Sequence, residues 1–169
     1  MVEFANTPGV YSGIDGLVTN NPEIILTIKV ADCVPVYLSD EKSEIIGLVH
    51  SGWKGTAGKI VLNAVELMKE NGSNPENIKL FLGPAIGKCC YEVSREVAEN
   101  FHQDTKINLN NEKWKVVLHE QIILDLRENG IPESNIHKSH ICTFESNDCH
   151  SYRRDGINAG RMIALMGKF

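Results

Sequence analysis

Cysteine and histidine are the side chains in this sequence whose spacing first suggests chemistry. Ala31-Asp32-Cys33-Val34-Pro35 is followed by His50-Ser51-Gly52-Trp53-Lys54-Gly55, so Cys33 and His50 stand 17 residues apart. A thiol and an imidazole suit either a zinc site or a thiolate–imidazole nucleophilic pair. Glycines 52, 55 and 58 would let the backbone approach a ligand closely and would feed a helix N-terminus, where anions bind. The competing reading is a buried structural cysteine and a half-exposed histidine. A second group, Ser151-Tyr152-Arg153-Arg154-Asp155-Gly156 with Arg161, places three arginines near turn residues. Their guanidinium forks suit phosphate or carboxylate, or simply a solvated loop with local partners. A third group joins His137, His140 and Cys142 with Cys149-His150 close behind. His140 and Cys142 would share one strand face, a weak zinc signal without CxxC spacing. Cys89 and Cys90 read as packing thiols, and Gly83-Pro84-Ala85-Ile86-Gly87 as a strand-to-loop transition bordering a pocket.

These residues need elements to position them. Val34–Leu38 and Ile45–His50 are apolar runs around the polar turn 39–43, a predicted hairpin that would return Cys33 and His50 to one edge. Further strands are predicted at 15–19, 23–30, 78–82, 136–142 and 161–166. Ile60, Ala64, Leu67 and Met68 recur at helical spacing within 59–71, before Gly72. Leu118–Asn129 repeats the pattern before Gly130 and Pro132. Ser94 can cap a short helix reaching Phe101. The irregular alternation predicts an α/β or α+β domain with a mixed sheet rather than a doubly wound parallel one.

Composition narrows the function classes. The 169 residues suit one domain, and 42% hydrophobic with 23% charged residues is a globular balance. A net charge of −5 argues against a nucleic-acid partner. No apolar run reaches the ~18 residues of a membrane span, so no membrane partner is expected. The opening MVEFANTPGV lacks the pattern of a secretory leader, and five cysteines are an odd count. A reduced, cytoplasmic setting is therefore expected. Nothing in the sequence sets the oligomeric state.

In order, ADCVPV, VHSGWKG, LGPAIGKCCYEV, ICT and SYRRDG with AGR resemble the motifs of the YfiH-like family, labelled laccase-domain or multicopper polyphenol oxidase proteins. The resemblance runs from about Asp15 to the C-terminus. It implies a layered α/β/β/α, cysteine-hydrolase-like fold and a purine nucleoside phosphorylase acting on adenosine, inosine, guanosine and methylthioadenosine, with adenosine deaminase activity. It also implies one zinc held by two histidines and a cysteine, with Cys33 and His50 matching two of these ligands. The family's other histidine lies upstream, and no histidine precedes His50 here. The expectation is thus one YfiH-like domain over residues 1–169 without the family's N-terminal segment. The third ligand would come from His140, Cys142, a neighbouring subunit or sequence outside this chain. Lys54 replaces a family arginine. Phosphate, the co-substrate, would be held by Lys54, Arg153, Arg154 or Arg161. Asp32 is the candidate proton-handling or supporting carboxylate, with Glu92 in reserve.

Three alternatives accompany this reading. A Cys–His hydrolase editing a peptidoglycan precursor would use Cys33 as nucleophile and His50 as base. A degenerate nucleotide-binding domain would bind without turnover. A true multicopper laccase needs more histidines than the six present, none of them in a His-x-His pair.

Overall fold

The computed structural model describes residues 1–168. In chain order its strands are β1 (Val2–Phe4), β2 (Gly16–Thr19), β3 (Leu26–Val30), β4 (Val34–Asp40), β5 (Ile45–Ser51), β6 (Lys79–Leu82), β7 (Glu92–Ser94), β8 (Lys106–Asn108), β9 (Lys113–Val116), β10 (Ile136–Lys138) and β11 (Met162–Met166). The helices are α1 (Trp53–Ala57), α2 (Ile60–Glu70), α3 (Arg95–Ala98), α4 (Leu118–Glu128) and α5 (Tyr152–Asp155).

The continuous apolar character of β4 and β5 has a structural cause: both strands are covered on two faces. Ile45 and Val49 of β5 pack with Ala64, Met68, Ile122 and Leu126 of α2 and α4. Ile46 and Leu48, pointing the other way, pack with Leu26 and Ala164 of β3 and β11. The layers therefore run from the α2/α4 helices through a six-stranded sheet to the β3–β11 pair. The large sheet has the order β1-β2-β5-β4-β6-β10. Its two outer pairings, β1–β2 and β6–β10, are parallel and its inner ones antiparallel. This is the mixed sheet expected from the sequence. A separate antiparallel sheet, β7-β9-β8, was not anticipated.

Element ends follow local hydrogen bonding. The strand expected over 136–142 stops at Lys138 because Ser139 Oγ accepts the Ile141 N–H at 3.2 Å, forming a turn. Cys142 then rejoins through a parallel bridge to Ala85. The helix expected from Ser94 to Phe101 ends at Ala98, where the Asn100 amide donates to the Glu96 carbonyl at 2.8 Å. Gly72, at φ +106, donates its N–H to Lys69 and closes the turn beyond α2. Among the described residues, no helix is long and apolar enough to cross a membrane.

Candidate active site

The β4–β5 register sets Pro35 opposite His50 and Val34 opposite Ser51. Continuing that register brings Cys33 against Gly52. A Cβ on Gly52 would stand 2.8 Å from Cys33 Sγ, so the close approach itself requires glycine. The two ends of the hairpin meet as the spacing predicted. Cys33 and His50 line one cavity of about 320 Å³, within the usual size range of small-molecule sites. Trp53, Ile86, Tyr91 and Leu118 supply its apolar walls, while Asp15, Asp32 and Lys54 supply charge. Ser51 and Thr56 hydroxyls, 2.9 Å apart and buried, tie the end of β5 to α1 and hold Trp53 and Lys54 beside the cavity.

His50 is fixed by Asp15, expected from the sequence only as the start of a strand. Its Nδ1–H donates to the Asp15 carboxylate at 3.2 Å, and its backbone N–H donates to the Asp15 carbonyl at 2.6 Å. A carboxylate on one imidazole nitrogen sets the tautomer and orients the other, the arrangement commonly found behind metal-ligating histidines. The Cys33 thiol is pushed up to about 11, first by burial and then by the charges of Asp32 and Asp15, against a lowering from Arg161.

Asp32 is buried and holds a left-handed backbone conformation, φ +76. One carboxylate oxygen accepts from the Thr143 hydroxyl at 2.7 Å, and the other from the Arg153 backbone N–H at 2.6 Å. Its carbonyl accepts the Ile86 N–H at 3.0 Å. Asp32 thereby joins the 83–91 loop to the segment running from Thr143 to α5, immediately before Cys33.

The arginines are dispersed in their roles. Arg154 donates to the carbonyls of Thr143, Phe144, Ser146 and Cys149 and pairs with Asp155, so its guanidinium braces its own loop. Arg153 lies over the Tyr91 ring at 5.2 Å and donates to the Glu92 carbonyl. Arg161 lies over Tyr152 at 5.7 Å and donates to the carbonyls of Ala159 and Gly160. None of the three is part of the cavity lining, whereas Lys54 is. Glu92 is paired with Lys113 at 2.6 Å and also lies outside the lining.

Neither His140 nor Cys142 joins Cys33 and His50. Both line a larger cleft of about 780 Å³. The 85–91 loop separates the two spaces: Ile86 and Tyr91 face the smaller, and Ala85, Gly87 and Cys89 face the larger. His119 sits at the larger cleft too, its Nε2 at 3.0 Å from the Gly83 carbonyl, and burial holds its pKa below the usual histidine range. There Cys142 meets Cys89, Cys90 and Glu145, whose ligand atoms all lie within 4.8 Å of one another, a set able to hold a metal ion. Cys142 thus groups with Cys89 and Cys90, expected from the sequence as packing thiols, rather than with His140. The Cys142-x-x-Glu145 spacing was the available signal.

The sequence profile of the family described as "Multi-copper polyphenol oxidoreductase laccase" matches residues 1–168. "Purine nucleoside phosphorylase YlmD" of Geobacillus stearothermophilus is 36% identical over 166 residues, covering 92% of this chain and 60% of its own length. "Adenosine deaminase RL5", from an unknown prokaryotic organism, is 36% identical over 158 residues, covering 88% of this chain and 60% of its own length. The chain thus spans about three fifths of the length of these two curated relatives. The crystal structure of the Bacillus licheniformis hypothetical protein YfiH superposes with a TM-score of 0.89 at 35% identity, over 92% of this chain and 62% of that one.

Proposed function

Because the chain belongs to the family described as multi-copper polyphenol oxidoreductase laccase, we propose that it acts as a zinc-dependent purine nucleoside phosphorylase with a secondary adenosine deaminase activity. The observation that carries this reading is the pairing of Cys33 with an Asp15-oriented His50 on one ligand-sized cavity. The names of the curated relatives supply the substrate class.

A thiol and an imidazole whose Nδ1 is occupied by Asp15, leaving Nε2, fit two positions of a zinc centre. Among the described residues, Cys33 and His50 belong to no group of three or more His, Cys, Asp or Glu whose ligand atoms all lie within 4.8 Å of one another. Neither His140 nor Cys142 supplies the further ligand, since both line the other cleft. Copper oxidase chemistry asks for several histidines, and among the described residues His50 is the single histidine lining the cavity. When bound, zinc supplies Lewis acidity at neutral pH.

The chain's own residues do the rest. Asp15 holds the His50 ring so that Nε2 keeps a fixed direction. Trp53 and Tyr91 offer aromatic surface to a purine, and Ile86 and Leu118 exclude water. Lys54, on the cavity wall, attracts phosphate toward the ribose carbon that loses its base. Arg154 leaves the list of phosphate ligands because its donors already serve loop carbonyls. Asp32, with a donor on each oxygen, supports Cys33 by fixing the loops around it rather than by relaying protons.

The test is to incubate the zinc-loaded chain with adenosine and phosphate and to follow adenine and inosine. Phosphate-dependent adenine release that disappears in folded Cys33→Ala and His50→Ala variants supports the proposal. Full activity in either variant, or thiol-alkylation sensitivity without chelator sensitivity, overturns it.

A further inference from the structure

A second group of metal-ligating side chains lies behind the cavity wall. Cys89 and Cys90 sit in the loop between β6 and β7, and Cys142 and Glu145 in the loop after β10. Cys89 Sγ is 3.5 Å from Cys142 Sγ, 3.2 Å from Cys90 Sγ and 3.3 Å from a Glu145 carboxylate oxygen. Ligands about 2.3 Å from a tetrahedral zinc stand ~3.8 Å apart, so these atoms already sit close to coordination spacing. All three cysteines are free. The Gly87 N–H donates to Cys142 Sγ at 3.2 Å, an amide–sulfur contact that orients a thiolate ligand. Lys115 Nζ, 2.7 Å from the Cys89 carbonyl, places a cation beside a group that would carry net negative charge with a divalent metal bound.

We propose that Cys89, Cys90, Cys142 and Glu145 form a structural site for a thiophilic divalent cation, zinc foremost, distinct from the Cys33–His50 centre. Binding replaces the three thiol protons, which pass to solvent, by three sulfur–metal bonds, with the Glu145 carboxylate as fourth ligand. The donor set is three thiolates and one carboxylate, which selects a soft metal over magnesium or calcium.

The position of the site gives it a role. The Ala85–Cys142 bridge and the Thr143 N–H to Ala85 carbonyl bond, 3.0 Å, already join the two loops. One loop carries Ile86 and Tyr91 to the cavity, and the other carries Thr143 to Asp32. A metal across Cys89 and Cys142 cross-links these loops at their outer end. It holds the cavity wall without touching the substrate.

The inference does not depend on the nucleoside reading, and its test needs no turnover. The reduced, metal-free chain is titrated with cobalt(II) under anaerobic conditions, and sulfur-to-cobalt charge-transfer absorption is followed. The expected result is a tetrahedral, multi-thiolate spectrum that persists in a Cys33→Ser/His50→Ala variant and is lost in Cys89→Ser/Cys142→Ser. Glu145→Gln keeps the thiolate band and weakens affinity by more than the roughly 10-fold that loss of a mere outer-shell partner costs. An unchanged titration in Cys89→Ser/Cys142→Ser, or no multi-thiolate band in Cys33→Ser/His50→Ala, overturns the proposal. Should Cys89→Ser/Cys142→Ser fail to fold, alkylation of the unmodified chain decides. Zinc must protect Cys89, Cys90 and Cys142 together, and equal alkylation with and without zinc refutes the site.

Discussion

Replacing Thr143 with valine tests whether Asp32 is the clamp behind Cys33. The Thr143 side chain is fully buried, and its hydroxyl donates to an Asp32 oxygen at 2.7 Å. Asp32 is only 8% exposed, so water cannot readily replace the lost donor. Its backbone, at φ +76, also depends on side-chain anchoring to stay in the left-handed region. Valine keeps the shape of threonine and removes the hydroxyl, so the change in free energy is mainly that of one hydrogen bond to a charged acceptor. Such bonds contribute about 1.5–3 kcal/mol. With a urea dependence of about 2 kcal/mol/M for a chain of this size, the unfolding midpoint should fall by roughly 1 M at unchanged slope. Thr143→Ser keeps the donor and should recover most of the loss. A valine variant within about 0.5 kcal/mol of the parent, the scatter of neutral surface changes, would refute the reasoning. So would a serine variant that falls as far as valine.

Asp15→Ala releases His50 and should lower phosphorolysis roughly 10- to 100-fold, as removal of a ligand-orienting carboxylate commonly does. Its urea midpoint should barely move, because the Asp15 side chain is 51% exposed; an active variant sinks the assignment. Gly52→Ala drives a Cβ into Cys33 Sγ and should cost about 1–3 kcal/mol by calorimetry while reducing zinc retained at Cys33 and His50. Unchanged zinc content would show that Cys33 has room to move. Burial alone would raise the Asp40 carboxyl, but the amides of Lys42, Ser43 and Asn74, with the Ser43 side chain, hold it below its usual 3.8. Its folded value lies below the unfolded one, so its stabilisation is present above that value and is lost as pH falls through the folded one. Asp40→Asn should therefore lose less stability than the parent between about pH 7 and about pH 3, and equal losses in urea titrations would contradict this.

What the sequence revealed depended on how local the physical signal was. The β4–β5 hairpin was readable because its apolar runs flank a polar turn, and its register alone sufficed to bring Cys33 toward His50. The α2 and α4 helices were readable because their buried positions recur at helical spacing. The β7-β9-β8 sheet was not, since strands such as Lys106–Asn108 and Lys113–Val116 are short and mix lysines with few apolar residues. Asp15 acts on a histidine 35 residues away, and Cys89 meets a cysteine 53 residues away, through pairings that no spacing rule encodes. Arg154 and Arg161 look alike as sequence, yet four loop carbonyls engage one guanidinium while the other donates to the carbonyls of Ala159 and Gly160 beside the Tyr152 ring. Charge type was legible; its local creditor was not.

The β3–β11 pairing carries a kinetic consequence. Leu26–Val30 finds its partner only at Met162–Met166, more than a hundred residues later in synthesis. At a translation rate of about 5–20 residues per second, β3 waits on the order of ten seconds or more on the ribosome. The segment carrying Asp32 and Cys33 begins two residues beyond β3, and the donors that fix Asp32 are Thr143 and Arg153, which also emerge late. The nascent chain can therefore complete its central hairpin early and still lack a settled site. Leu26 with its neighbours stays open to chaperones or to another unfinished chain until Met162–Met166 has emerged.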